Sequence, residues 1–164
     1  MKSLQNMPRE EAFMVILRAL HQRWRLAVAI PLLYMIAGVL VQAYLFKHNG
    51  GLMEVSRTLL LVMIFLGGAF SVLLWHLLTA LFRRQQASLA EAAGSIDSFA
   101  GAAFRQQKIQ FITCDLAALP GIVIFLCTGD LFHLVMFIVI SMFFYLRCFP
   151  SGRKLGEPLF LRDE

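Results

Sequence analysis

Apolar and polar positions follow one another along this chain in long blocks, without the alternation of a half-buried strand. Four apolar blocks stand out: 26–46 (LAVAIPLLYMIAGVLVQAYLF), 58–82 (TLLLVMIFLGGAFSVLLWHLLTALF), 109–128 (IQFITCDLAALPGIVIFLCT) and 131–149 (LFHLVMFIVISMFFYLRCF). Each approaches or exceeds the roughly 20 apolar residues that a helix needs to cross a bilayer. Unbroken runs of this length predict helices, because the strands of a membrane barrel alternate and last only about ten residues. The pattern therefore predicts an all-α integral membrane protein with four transmembrane helices, paired as two helical hairpins.

The remaining chain divides into a cytoplasmic arm (1–25), a hairpin head (83–108) between the second and third spans, and a tail (150–164) expected to be irregular. Within the arm, Phe13, Ile16, Leu17, Leu20 and Trp24 recur at helical spacing and make one apolar face. That stripe predicts an amphipathic helix lying in the membrane surface, with Trp24 at the interface. The alternative use of such a face is to dock on a partner. Pro8 suits the first turn, and Glu10 and Glu11 suit the positive end of the helix dipole. In the head, Leu89, Ala92, Ala93 and Ile96 extend the second helix beyond its span. Gly94-Ser95 is the expected stop, with Ser95 or Asp97 capping the next helix. Gly129-Asp130 is a minimal turn between the third and fourth spans. Pro120, in the middle of the third span, is expected to kink it. Gly38, Gly67, Gly68 and Gly121 are expected to let helices approach closely.

Composition sharpens this picture. Apolar residues make up 59% of the 164 residues and charged ones 15%, against about 45–50% and 25% in a soluble domain. An ordinary cytosolic enzyme, a disordered chain and a disulfide-rich secreted domain are thereby excluded. The net charge is +5, and 13 of the 15 Lys and Arg residues fall in the arm, the head and the end of the fourth span with its tail. The positive-inside rule then puts both termini in the cytoplasm, as for a protein of a bacterial-type inner membrane. Basic residues spread in this way act as topology determinants, so no nucleic-acid partner is expected. The first span is expected to be retained, not cleaved as a signal peptide. Cys114, Cys127 and Cys148 have no metal-ligand spacing and read as packing residues. No catalytic residue, metal or cofactor is expected.

One depth carries candidate chemistry. Asp115 is the sole acid inside a span, and a charge there costs about 2.5–3.5 kcal/mol on insertion scales. Counting from the basic residues at each span's end places His76 and Ser141 at the same depth and Tyr34 slightly deeper. A His76–Asp115 contact across the hairpin is the expectation, serving either as a proton relay or as a hydrogen bond joining two helices.

The run D-L-A-A-L-P-G beginning at Asp115, preceded by the polar F-R-Q-Q-K loop, resembles the carboxylate helix of rotary ATP synthase proteolipids, the c subunits. Asp115 and Gly121 match that family's acid and the glycine six residues on, and a cytoplasmic loop precedes both helices. The resemblance is local to the third span and implies that Asp115 carries an ion. Three functions are therefore expected to compete: a structural or accessory subunit packed against other membrane subunits or against itself, a proteolipid-like element of an ion pathway, and a small dimeric transporter. The lipid bilayer is a partner in all three.

Overall fold

The computed structural model describes residues 8–46, 51–153 and 155–156. Five helices follow in order: α1 (Arg9–Tyr44), α2 (Arg57–Ala92), α3 (Ile96–Leu116), α4 (Leu119–Thr128) and α5 (Leu131–Arg147). The described residues contain no strand. α1, α2 and the α3–α4 unit are each long and apolar enough to cross a membrane, whereas α5 is apolar but spans 17 residues. At about 1.5 Å per residue α5 reaches about 25 Å, a little short of a typical hydrocarbon core.

Local chemistry sets most boundaries. Pro8 occupies the N-cap position of α1, just ahead of the helix, with Glu10 and Glu11 in its first turn. The Ser56 side chain accepts a hydrogen bond from Leu59 N at the start of α2. Ser95 sits at the N-cap of α3 with Asp97 in the first turn, and neither side chain forms the capping bond. The Gly129-Asp130 turn forms as expected. Gly129 takes the left-handed conformation (φ 72°) that only glycine adopts without strain. Asp130 then caps α5 by accepting from Phe132 N at 3.0 Å.

The third span is divided, not merely kinked. α3 stops at Leu116 and α4 starts at Leu119, with Pro120 in its first turn. Across the break the bonds tighten to an i+3 spacing, from Ala117 N to Cys114 O (3.2 Å) and from Ala118 N to Asp115 O (3.0 Å). Proline has no N–H to continue the ladder and crowds the preceding turn, so a tighter turn replaces the α-helical one.

Packing corrects two further expectations. The arm and the first span are one continuous helix of 36 residues, about 54 Å long. Its apolar stripe, expected to face the membrane surface, is buried inside the protein. Phe13, Ile16 and Leu20 are buried against Leu89, Ala93, Phe99, Ala100, Ala102 and Ala103 of the head, with Leu17 packed at the edge. The head offers an apolar counterface, and burying both faces together removes more apolar surface from water than either achieves alone. The tail also begins with helical residues (152–153 and 155–156), and Leu155 packs on the head. The rest of the expected irregular tail, and the basic residues Lys2, Lys47, Lys154 and Arg162, lie outside the described residues.

Within the bundle the α3–α4 unit and α5 are central. Only 17% of the most apolar stretch of α1, and likewise of α2, is covered by protein, against 39% for α3–α4. α1 packs on α3 and α5, and α2 on α3 and α4, so the two long helices flank the centre. Phe137 of α5, fully buried, wedges between two glycines. A Cβ on Gly67 of α2 would stand 2.7 Å from its Cζ, and one on Gly121 of α4 would stand 2.6 Å from its Cβ. Gly38 of α1 closes on Leu134 in the same way. Gly68 departs from expectation: a Cβ there meets nothing within 4 Å, so it has no packing role within the chain. The α1–α2 loop covers the end of α4 as well, with Leu52 N donating to Leu126 O and Met53 N to Cys127 O.

Candidate functional site

Several polar side chains of the bundle meet beside the helix break. Asp115, in the last turn of α3, is half-buried, and its Oδ1 accepts a hydrogen bond from Tyr145 Oη of α5 at 2.8 Å. Tyr145 is 1% exposed, and a buried phenol needs such a partner. The backbone oxygen of Tyr145 accepts in turn from Trp24 Nε1 of α1 at 2.9 Å. One residue before the acid, Cys114 O accepts from Ser141 Oγ of α5 at 2.8 Å, while the Cys114 and Cys148 sulfurs lie 3.5 Å apart as free thiols. Tyr34 of α1 lies within electrostatic range of the Asp115 carboxylate. Asp115, Ser141 and Tyr34 thus lie near one another beside the break.

His76 is the exception. It is exposed on α2, and the partner of Asp115 is Tyr145. The depth expected for His76 does not decide its direction. The inward positions of α2 are Gly67, Ser71, Leu74 and Leu78. His76, two residues from Leu74 and from Leu78, points to the opposite side at about 100° per residue. Tyr145 had a readable signal, because Ser141, Tyr145 and Cys148 recur at i, i+4 and i+7 and share one face of α5. Trp24, expected at a membrane surface, instead joins α1 to α5 through its indole N–H.

Chemically, this arrangement locks three helices at one level. Tyr145→Phe removes the donor to a half-buried carboxylate and is expected to cost about 1–3 kcal/mol. Asp115→Asn keeps an acceptor for the phenol and is expected to stay close to the parent. Thermal unfolding of the detergent-solubilised protein, followed by a thiol-reactive dye reporting the buried Cys114 and Cys148, measures both. Equal losses for the two variants would show that the phenol–carboxylate bond is not the stabilising contact.

Three helices of spanning length and apolarity fit a small multi-pass integral membrane protein. No protein-family model, curated protein or solved structure matches the chain.

Proposed function

We propose that this protein is a structural or accessory subunit of a membrane complex, with four crossings and both termini on the cytoplasmic side of a bacterial-type inner membrane. The observation that supports it is the internal use of Asp115. Its carboxylate is tied to Tyr145 beside the helix break, where it braces α5 against α3 instead of standing open. α5 counts as the fourth crossing because the two-residue turn at Gly129-Asp130 folds it back along α4. The orientation rests on the basic residues. The start of α1, the end of α2 and the start of α3 meet in the head, and the end of α5 lies beside them. The outer faces of α1 and α2, including Leu33, Ile36 and Leu40 on one and Leu61, Phe65 and Leu73 on the other, stay exposed and suit lipid or partner helices.

A second reading rests on the same acid. Asp115 is only half-buried, with Tyr34 near it, and the proteolipid resemblance assigns it ion carriage. The mass of the gently solubilised native complex separates the two readings. A stoichiometric assembly with different membrane subunits, still formed by Asp115→Asn, is the expected result. A closed ring of identical copies, with Asp115 labelled by a carbodiimide in a pH-dependent way, would overturn the accessory reading and favour ion carriage.

A further inference from the structure

Beneath the head, where α1, α2, α3 and the residues after α5 meet, five glutamines line a cavity of about 60 Å³. Three of them, Gln85, Gln107 and Gln110, are less than a tenth exposed. Some of their hydrogen bonds are internal. Gln110 Nε2 donates to Gln85 Oε1, Gln106 Nε2 to Ser88 Oγ (2.6 Å) and Gln85 O (3.2 Å), and Gln107 Nε2 to Leu20 O (2.8 Å). Gln107 Oε1 has no partner among the described residues. The described residues of the cavity wall carry no charge, and most of their polar side chains are amides. The cavity thus suits an uncharged group that exchanges hydrogen bonds with amides. At roughly 10–15 Å³ per water position it holds about four to six waters, or a polyol of similar size.

The cavity is not isolated. Phe82, Gln86, Phe149 and Ser151 line both it and a wider outer groove that adds Arg83, Leu146 and Arg147. Among the described residues no carboxylate lines the groove. The Arg147 guanidinium sits over the Trp75 ring, its Cζ 4.2 Å from the centroid. Below it, Phe143 stacks on Trp75 and is exposed, as is Leu146. Apolar surface, two guanidinium groups and a neutral amide-lined recess thus follow one another at the head end of the bundle. That order is the order of parts in a glycerophospholipid.

We propose that this groove binds an anionic phospholipid with an uncharged, hydroxyl-bearing headgroup, of the phosphatidylglycerol type. The acyl chains lie along Phe143 and Leu146. Arg83 and Arg147 hold the phosphate, as basic residues at a membrane boundary do. The headgroup hydroxyls enter the recess between the amides of Gln106, Gln107 and Gln110. An ammonium headgroup finds no countercharge among the glutamines, and a choline has no proton to give an amide oxygen. The assignment rests on the membrane reading above.

The test titrates the purified full chain with dioleoyl phosphatidylglycerol, phosphatidic acid and phosphatidylcholine, counting bound lipid by native mass spectrometry. Phosphatidylglycerol is expected to bind at least about tenfold more tightly than phosphatidylcholine. Arg83→Gln, at an exposed position, and Arg147→Gln should each weaken both anionic lipids about tenfold. Gln107→Leu should reduce phosphatidylglycerol to the level of phosphatidic acid and leave the latter unchanged. Equal binding of all three lipids, or an unchanged phosphatidylglycerol preference in Gln107→Leu, overturns the proposal. Occupation of the cavity by free glycerol in delipidated protein, with no lipid preference, overturns it in favour of a soluble polyol. Carbonate extraction of membranes separates the two levels. Release of the protein would defeat the membrane reading and this assignment with it, whereas a retained protein that binds lipids indiscriminately defeats the lipid assignment alone.

Discussion

Phe99→Ala is expected to loosen the head by about 3–5 kcal/mol, the usual cost of deleting a fully buried phenyl ring. Phe99 is 1% exposed and sits among Phe13, Ile16, Leu20, Leu89 and the alanines of α3. Those alanines let α1, α2 and α3 approach closely and are too short to extend into the void left by the ring. The bundle below is held by separate contacts, Phe137 between its glycines and the Asp115–Tyr145 bond. The loss should therefore be local. Hydrogen exchange over residues 86–103 should accelerate by about 100-fold or more, the factor matching that energy, while α4 and α5 keep their protection. Uniform acceleration along the chain would show that head and bundle unfold as one unit. Acceleration below about tenfold would show that the head core is not what holds these helices together.

Substitution at Gly121 acts in the bundle by the opposite mechanism, too much volume. A Cβ there would stand 2.6 Å from Phe137 Cβ and 3.1 Å from His133 O. The second of these is backbone and the first is the stiff root of a side chain, so neither can swing aside. α4 and α5 must separate. Gly121→Val is expected to cost about 3 kcal/mol or more, at or above the upper part of the usual range for overpacking. Gly68→Ala is the matched control, because its Cβ enters open space. There the better helix propensity of alanine should leave stability unchanged or raise it by up to about 1 kcal/mol. Both are read from thermal unfolding of the solubilised protein. A Gly121→Val variant that melts with the parent would mean that the α4–α5 contact is looser than drawn.

These two sites mark how far the sequence could be read. Gly67 and Gly68 are adjacent and chemically identical, and both suggest close packing. Only the rotation of α2 decides that one meets Phe137 and the other meets nothing. The same rotation removes His76 from the layer that its depth assigned it to. In a helix surrounded by lipid, both faces are apolar, so the polar-versus-apolar contrast that reveals the inward face of a soluble helix is missing. Polar residues escape this ambiguity only when their bonds are costly to lose. Counting residues from the basic ends puts Asp115 and Ser141 at one level and Tyr34 slightly deeper, whereas Tyr145 emerges as the partner of Asp115 only when α5 is laid against the break. The arm shows the same limit from the other side. Its stripe of Phe13, Ile16 and Leu20 is plain in the sequence, but an amphipathic face does not name its counterface, which here is the head.

What the sequence determined by itself is what depends on local chemistry and on transfer to an apolar solvent. The apolar blocks, their helical state, a disturbance of the helix at Pro120, the turn at Gly129-Asp130 and the single acid within an apolar block belong here, because each follows from a few adjacent residues. The tertiary structure alone decided the facing of the helices, the Asp115–Tyr145 bond, the wedge of Phe137 and the glutamine-lined cavity. Those depend on which residues far apart in the chain meet, and pairing at a distance is set by shape and rotation, which a one-dimensional pattern of apolar residues does not record.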